Sequence, residues 1–326
     1  MSDAKVISVV VPVYGSERIL STTYARLTKC LAAFAPEFDY EIVFVNDASP
    51  DGALDVLRGL AASDPRVRLV SLSRNFGHQI AITAGMDVSE GDVVVIIDDD
   101  LQDPPEVIAA MLDKWRQGYK VVYGVRVHRN GESVLKRASA KAFYRLIQWL
   151  SDTPLPLDAG DFRLMDRQVV DALGQMREES RYMRGMVAWV GFSQAPVYYE
   201  RDARFEGTGN YSFRKLTALA LDGVLSFSSR PLALSTQLGA MITVLAFLYG
   251  SFLLIDKLLH PSAILQGWTS MIVVVIFIGG VQLLSVGVLG SYLGRIFYET
   301  KKRPLYLVAE RHNLDVAALP HQGHTE

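Results

Sequence analysis

Short apolar runs alternate with helical stretches along roughly the first 125 residues of the chain. Five runs predict strands: Val6–Val13, Glu41–Val45, Val67–Leu72, Asp92–Ile97 and Lys120–Val125. The stretches between them predict helices: Ile19–Phe34, Ala53–Ala62, His78–Val88 and Glu106–Gln117. The strand runs are continuously apolar, which is typical of a parallel sheet covered on both faces. The pattern therefore predicts an α/β fold with an open, mostly parallel sheet, whose ligands bind at the carboxyl ends of the strands.

Two longer apolar runs occupy the last third of the chain. Pro231–Ile255 and Met271–Leu293 contain no charged residue, and each exceeds the roughly 20 residues that a helix needs to cross a bilayer. Two long buried core helices are the alternative. It is disfavoured because helices that are apolar on all sides and this long seldom fit a soluble domain.

Cations cluster on the outer flanks of these runs, at 214–215 and 230 before the first and at 295 and 301–303 after the second. The positive-inside rule therefore predicts that both flanks lie in the cytoplasm and that the loop 256–267 lies outside. The run Val6–Val13 is too short to span and lacks a signal-peptide pattern. We expect a multi-pass protein of the inner (plasma) membrane with a cytoplasmic N-terminal part.

Composition excludes several classes of protein. Half of the residues are hydrophobic, so the chain is not wholly disordered. The 33 basic and 35 acidic residues give a net charge of -2, which argues against a general nucleic-acid-binding protein. A single cysteine, Cys30, excludes a disulfide scaffold and a multi-cysteine metal site.

A hydrophobic strand runs directly into three aspartates, Asp98, Asp99 and Asp100, with Gln102 shortly after them. Crowded carboxylates are costly without counter-charge, and hard divalent cations such as Mg²⁺ and Mn²⁺ prefer oxygen ligands. The cluster therefore predicts a metal site. Asp103 is expected to cap the next helix, which Pro104 and Pro105 would open. An EF-hand is disfavoured because the loop lacks the required glycine and the terminal glutamate.

Other polar loops follow the earlier strands and contain Tyr14, Asp47 and Arg74. They place an aromatic ring, an acid and a base along one sheet edge, as a nucleotide site requires. The chain has no G-x-G-x-x-G and no P-loop motif, so dinucleotide binding and P-loop phosphoryl transfer have no support.

Several segments together carry a family resemblance: 11–14, 46–52, 74–77, 98–105, 161–164 and the Arg201-x-x-Arg204-x-x-Gly207 pattern. They resemble family 2 glycosyltransferases of the GT-A fold. Within that family the match is to the polyprenyl-phosphate group, which includes dolichol-phosphate mannose synthase and the bacterial undecaprenyl-phosphate glucosyl and aminoarabinosyl transferases. The resemblance covers nearly the whole chain, including the two C-terminal apolar runs.

The resemblance implies a role for each matching residue. Asp98, Asp100 and Gln102 would hold Mg²⁺ or Mn²⁺ on the donor diphosphate, and Asp100 and Asp161 would be the catalytic residues. The donor nucleotide would lie against Pro12, Tyr14, Asp47, Asp98 and Asp99. The acceptor phosphate would be bound by Arg126, Arg129, Ser133 and Arg201. The family often has a lysine where this chain has Asn210, so we assign no phosphate contact to that position.

The implied reaction is an inverting transfer of a sugar from a nucleotide-sugar to undecaprenyl or another polyprenyl phosphate, for modification of cell-envelope glycans such as lipopolysaccharide. UDP-glucose is the first expectation for the donor. GDP-mannose, UDP-N-acetylhexosamine and UDP-aminoarabinose remain open. The resemblance also suggests a homotetramer.

The expected domain order has four parts. Residues 1–212 form the catalytic domain, 213–230 an amphipathic juxtamembrane helix, 231–298 two transmembrane helices and 299–326 a cytoplasmic tail that is polar and loose after Val308. Residues 126–150 predict a second, basic amphipathic helix, either packed on the sheet or lying in the membrane interface.

Three other functions remain as alternatives. A processive polysaccharide synthase would share the sheet and the metal motif, but a Gln-x-x-Arg-Trp segment and further spans are missing from this sequence. A membrane scaffold with a degenerate transferase domain does not explain the intact acids. A soluble sugar nucleotidyltransferase does not explain the apolar runs.

Overall fold

The computed structural model describes residues 4–127, 159–179, 181–200, 230–259 and 267–314. The chain divides into two compact units, of which the first holds the sheet and the second holds the long apolar helices. The strands are β1 (Lys5–Val13), β2 (Phe38–Asn46), β3 (Val67–Leu72), β4 (Val93–Ile96), β5 (Val121–Arg126), β6 (Ala159–Asp166), β7 (Gln194–Tyr199) and β8 (Val308–His312). The helices are α1 (Leu20–Ala32), α2 (Ala53–Ser63), α3 (His78–Val88), α4 (Val107–Arg116), α5 (Arg167–Gln175), α6 (Met183–Trp189), α7 (Arg230–Leu259) and α8 (Trp268–Thr300).

The eight strands form one sheet in the order β7-β5-β6-β4-β1-β2-β3-β8. β1 pairs in parallel with β2 and β4, β2 with β3, and β5 with β7. β6 runs antiparallel to both β4 and β5, and β8 runs antiparallel to β3. The predicted open, mostly parallel sheet is confirmed, and so are the five strands and four helices predicted before residue 126.

The hydrophobic core explains why the predicted strands are continuously apolar. On one face, α1, α2 and α4 bury side chains such as Leu27, Leu57 and Met111 against Phe44 and Phe162 of the sheet. On the other face α3 packs so closely that a Cβ on Gly85 would overlap Val10 and lie 3.0 Å from Val45. Apolar residues on both sides of a strand are what burial on two faces requires.

The expectation of a loose tail after Val308 is wrong for residues 308–314, while residues 315–326 lie outside the described part of the chain. β8 pairs with β3, and Glu310 forms a double contact with Arg58 on α2, at 2.8 and 2.5 Å. The Asn313 amide donates to the carbonyl oxygens of Ala61 and Val67 at 2.7 and 2.9 Å. An edge strand is held by backbone pairing and polar side chains, so it carries no apolar periodicity that a sequence pattern could detect. Residues 303–314 therefore belong to the first unit.

Two helices are long and apolar enough to cross a membrane, by length and composition. The candidate spans are Leu232–Phe252 in α7 and Val274–Thr300 in α8, with mean hydropathies of 1.7 and 2.1. Neither is buried in the structure, which contradicts the alternative of two buried core helices. The amphipathic segments expected at 126–150 and 213–227 lie largely or wholly outside the described residues.

Candidate functional site

The loops after β1 and β2 are tied together at the carboxyl edge of the sheet. The backbone N–H of Gly15 donates to the Ser49 hydroxyl at 3.1 Å. The N–H of Glu17 donates to Asp51 at 3.0 Å, and the Glu17 carboxylate accepts the N–H of Gly52 at 3.0 Å. These loops line an open cleft of about 350 Å³ that also reaches Asp100. Strand order thus brings the predicted donor loops and the acidic motif to one place.

Asp47 supports the loop that leads into α3. Its carboxylate accepts the backbone N–H groups of Phe76 at 2.7 Å and Gly77 at 2.9 Å. Burial raises its pKa even though both hydrogen bonds oppose the shift. Gly77 has a φ of 97°, a conformation that favours glycine. The contacts show that Asp47 positions the start of α3, and its expected contact with the donor stays a prediction.

The other two residues expected at the nucleotide lie nearby in β1 and just after it. Pro12 is buried and pairs with Val45 of β2. Tyr14 has 54% of its surface exposed, so its ring is available to a ligand. The donor roles of both residues remain predictions.

The acidic motif forms a tight turn after β4. Leu101 has a φ of 54°, in the left-handed region that non-glycine residues rarely occupy. The turn brings the N–H of Gln102 to Oδ1 of Asp100 at 3.1 Å, and the carbonyl oxygen of Asp99 accepts the Thr23 hydroxyl at 3.0 Å. Gln102 is buried. Backbone strain of this kind concentrates at functional sites, where the surrounding structure maintains it.

Two oxygens of this motif are buried and accept no hydrogen bond from the described residues: Oδ1 of Asp98 and Oδ2 of Asp99. Burial raises the pKa of Asp98. Burial, reinforced by the charges of Asp98 and Asp100, raises the pKa of Asp99 to about 7, against a hydrogen bond from Ser16. Such carboxylates are stabilised by a cation.

These residues fit a divalent cation that takes part of its ligands from a substrate. Carboxylate oxygens suit Mg²⁺ and Mn²⁺, and Mg²⁺ commonly binds one or two carboxylates together with substrate phosphates. Within the described part of the chain, no three His, Cys, Asp or Glu side chains come together as a ready metal site.

Asp103 does not cap α4, contrary to expectation. That helix begins after Glu106 without a side-chain cap. The Asp103 carboxylate instead accepts the Tyr199 hydroxyl at 2.5 Å and an Arg126 nitrogen at 3.3 Å. Asp103 is 1% exposed, and a buried carboxylate needs such donors more than the exposed start of a helix needs a cap. Arg126, expected at the acceptor phosphate, is therefore anchored to the loop after the metal motif.

Asp161 lies at the centre of a second, basic cluster. It stands on β6, whose pairing with β4 places Arg163 opposite Ile96, next to the acidic turn. Its Oδ1 accepts the Nε–H of Arg184 at 3.0 Å and lies 3.6 Å from Arg163. Its Oδ2 accepts the Gln79 amide at 3.3 Å and lies 3.4 Å from His78 Nε2.

The cluster keeps Asp161 ionised. Burial would raise its pKa, but the hydrogen bond from His78 and the charges of Arg184 and Arg163 outweigh burial and hold the pKa well below its usual range. Arg163 is 3% exposed, and burial lowers its pKa to about 10. His78 Nε2 also lies 3.6 Å from Asp98. His78 thus joins the basic cluster to the acidic turn.

Four of these residues were not predicted from the sequence: His78, Gln79, Arg163 and Arg184. Arg163 stands inside the 161–164 segment, so the resemblance could have pointed to it. His78 and Gln79 follow the 74–77 segment directly. Arg184 carries no signal in the sequence, because only the packing of α6 beside β6 brings it to Asp161. Of the expected site residues, Arg129, Ser133 and Arg201 lie outside the described residues.

Comparison with known proteins identifies the family. The model of the family described as "Glycosyl transferase family 2" matches residues 8–174. The chain belongs to this family. It is a glycosyltransferase, and the resemblance seen in its motifs is confirmed.

Relatives of this glycosyltransferase match it over nearly their whole length. The chain is 45% identical to the uncharacterized glycosyltransferase YkcC of Bacillus subtilis, over 97% of each protein. It is 41% identical to the bactoprenol glucosyl transferase of Shigella phage SfX, over 94% of this chain and 99% of that one. The crystal structure of mannosyl-3-phosphoglycerate synthase from Rubrobacter xylanophilus is 19% identical, with a TM-score of 0.44 over 68% of this chain and 72% of that one. An overlap this loose adds nothing to the assignment.

Proposed function

We propose that this glycosyltransferase moves a hexose from a UDP-sugar, UDP-glucose first, to undecaprenyl or another polyprenyl phosphate. The observation that carries the proposal is the meeting of two charged clusters. Among the described residues, the acidic turn has buried carboxylate oxygens without a hydrogen bond at Asp98 and Asp99, and the longer contact of His78 with Asp98 joins the turn to the basic cluster around Asp161. A metal-bound diphosphate suits the first cluster and a phosphate suits the second. The relative named as a bactoprenol glucosyl transferase supports this lipid class.

The donor would bind in the cleft between the loops after β1 and β2, which Gly15 and Asp51 line, with Tyr14 directly before Gly15 in the chain. Asp98, Asp100 and Gln102 would hold Mg²⁺ or Mn²⁺. When bound, that ion supplies positive charge to the diphosphate as it leaves. Asp98 and Asp99 also face the donor side, where a cation relieves the cost of their burial.

The acceptor is a phosphate monoester with a second pKa near 6, so it is largely ionised at neutral pH. It needs alignment more than deprotonation. Asp161 is held ionised by Arg184 and Arg163, and in this proposal it orients the acceptor and stabilises charge in the transition state. Direct attack on the anomeric carbon would invert its configuration. Arg126, Arg129, Ser133 and Arg201 would bind the acceptor phosphate.

The two apolar helices would anchor the enzyme where the polyprenyl phosphate lies. We propose that α7 and α8 both span the inner membrane and that the catalytic unit faces the cytoplasm, since cations flank the outer ends of the runs. Reporter fusions in the loop 260–266 test the topology. A cytoplasmic signal from that loop would exclude it. A homotetramer, tested by the mass of the detergent-solubilised protein, completes the proposal.

The deciding experiment is a screen of the purified full-length enzyme. Undecaprenyl phosphate is combined with UDP-glucose, UDP-N-acetylglucosamine, UDP-aminoarabinose and GDP-mannose, each with Mg²⁺ or Mn²⁺, and the lipid product is identified by mass. A hexosyl-phosphate lipid from UDP-glucose is the expected product. Absence of a lipid product from every donor would overturn the proposed acceptor, and long polymer chains would favour a processive synthase.

A further inference from the structure

Arg184 has an unusual position in the basic cluster. It is the second residue of α6, and its Nε donates to Oδ1 of Asp161 at 3.0 Å. Among the described residues, Asp161 is the one hydrogen-bond or ion-pair partner that its side chain has. The side chain remains 31% exposed. The anchored Nε fixes the plane of the guanidinium, and within the described part of the chain its two terminal nitrogens make no hydrogen bond or ion pair.

Among the described residues, two arginines, one of them Arg184, share one carboxylate. Asp161 lies beside two permanent cations, Arg184 at 3.0 Å and the buried Arg163 at 3.6 Å. His78 shares the same carboxylate at 3.4 Å. In the part of the chain that the structure describes, the Asp161 carboxylate therefore faces two arginines and shares His78 with Asp98.

A further arginine, Arg126, lies close to Arg184 and Asp161. The charge of Arg126 is near enough to Arg184 for the two to repel each other. The Arg126 guanidinium passes over Gly160, the residue before Asp161, since a Cβ at Gly160 would lie 3.1 Å from an Arg126 terminal nitrogen. Its own counter-charge, Asp103, lies 3.3 Å from a terminal nitrogen of Arg126. The guanidiniums of Arg126 and Arg184 thus stand near the same short stretch of β6, which the buried Arg163 also contacts.

We infer that Arg184 binds phosphate oxygens of a substrate through its terminal nitrogens, next to Arg126. Arginine matches a phosphate because its planar fork donates two parallel hydrogen bonds, and a phosphate dianion would add negative charge beside these arginines. The same chemistry occurs in the donor diphosphate and in the acceptor monophosphate. If the phosphate belongs to the acceptor, the inference rests on the proposed function. If the phosphate belongs to the nucleotide, it does not.

The test compares Arg184→Ala and Arg184→Lys with the full-length wild-type enzyme. Arg177→Ala is the matched control, because Arg177 is also paired with one aspartate, Asp87, at 2.7 Å and is 37% exposed. Calorimetry measures the Kd of UDP with Mn²⁺. Steady-state kinetics measures the KM of a short-chain polyprenyl phosphate. Loss of charged hydrogen bonds should raise one of these constants roughly tenfold or more in Arg184→Ala, with partial recovery in Arg184→Lys and less than about a twofold change in Arg177→Ala.

The two measurements separate the two phosphate sources. A higher Kd for UDP assigns Arg184 to the donor diphosphate, and a higher acceptor KM with normal UDP binding assigns it to the acceptor. A lower kcat with both constants unchanged overturns the inference and limits Arg184 to orienting Asp161. If Arg184→Ala does not fold, Arg184→Lys decides by the same criteria, because lysine keeps the charge but loses the fork. If the wild-type enzyme forms no lipid product, the proposed function is contradicted. In that case the Kd of UDP alone shows whether Arg184 binds a phosphate.

Discussion

The hydroxyl of Tyr199, at the end of β7, donates a 2.5 Å hydrogen bond to Oδ1 of Asp103, in the turn that follows β4. The same carboxylate accepts Arg126 from the end of β5. Tyr199 also meets Phe162 of β6 edge to face, with 5.7 Å between ring centroids. One buried carboxylate thus links the ends of two strands to the segment that carries Asp100 and Gln102.

Replacing Tyr199 by Phe should therefore lower the stability of the protein. The change leaves the ring in place but removes a donor to a carboxylate that is 1% exposed. We expect the free energy of unfolding to fall by about 1–3 kcal/mol, because a buried carboxylate loses one of its hydrogen-bond donors. Denaturant unfolding measures this effect. Tyr198→Phe is the control, since Tyr198 is 69% exposed, and equal stability of the two variants would contradict the assigned role of the Tyr199 hydroxyl.

Metal removal tests the acidic turn. Excess chelator should abolish transfer, and Mg²⁺ or Mn²⁺ should restore it. Asp100→Asn should keep the fold and lower kcat at least about a hundredfold. The reason is that a metal ion held by Asp100 would stabilise the charge of the transition state by several kcal/mol. Asp113→Asn, a change on the exposed face of α4, provides the comparison. Full turnover in chelator, or a wild-type rate for Asp100→Asn, would exclude metal binding at this turn.

Gln79 connects the two sides of the basic cluster. Its amide nitrogen donates to Oδ2 of Asp161 at 3.3 Å, and its amide oxygen accepts the N–H of Met183 at 2.9 Å. Gln79 therefore holds the start of α6, and with it Arg184, beside Asp161. We expect Gln79→Leu to lower kcat roughly tenfold by releasing both contacts, which are together worth about 1–3 kcal/mol.

Two further variants separate positioning from loss of stability. Gln79→Glu keeps an acceptor for Met183 but places a second carboxylate beside Asp161, so its kcat should also fall while α6 stays in place. Gln175→Leu changes an exposed glutamine at the end of α5 and should leave kcat unchanged. Kinetics and melting curves of all three variants provide the measurement. Wild-type kcat in both Gln79 variants would show that Gln79 does not position the site.

The first half of the fold follows from the sequence because its elements are local and buried on two faces. Val93–Ile96 and His78–Val88 needed only apolar composition and helical spacing to be recognised. β6 was missed, although it lies between β4 and β5. It runs antiparallel to both neighbouring strands. Its charged residues Asp161 and Arg163 interrupt the apolar pattern, and they form an ion pair in the folded protein. The acidic half of the site follows one strand and was predictable, whereas the basic half is assembled from α3, β6 and α6.

The residues after α8, including β8, are tied to the sheet by side-chain and backbone hydrogen bonds. Tyr306 is 7% exposed, and its hydroxyl donates to Asp87 at 2.7 Å, where Arg177 also binds. Asn313 caps backbone carbonyls around the start of β3, and the N–H of Ser73 donates to Leu307 at 2.9 Å. This segment completes the edge of the sheet beside the strand that leads to the 74–77 loop. A truncation at Arg230 would therefore remove part of the catalytic unit together with the apolar helices, and loss of activity would not isolate the effect of the anchor.

Deleting residues 303–326 should destabilise the catalytic unit although no residue of the proposed site is removed. Loss of a buried tyrosine and of the hydrogen bonds of Asn313 should lower the free energy of unfolding by about 3 kcal/mol or more. The matched control deletes only 315–326 and keeps β8, Tyr306 and Asn313. Melting temperatures of the detergent-solubilised proteins, with and without UDP and Mn²⁺, compare the two deletions. If both melted at the wild-type temperature, β8 would be an attached strand without a stabilising role, and a truncation at Arg230 would become a clean test of the anchor.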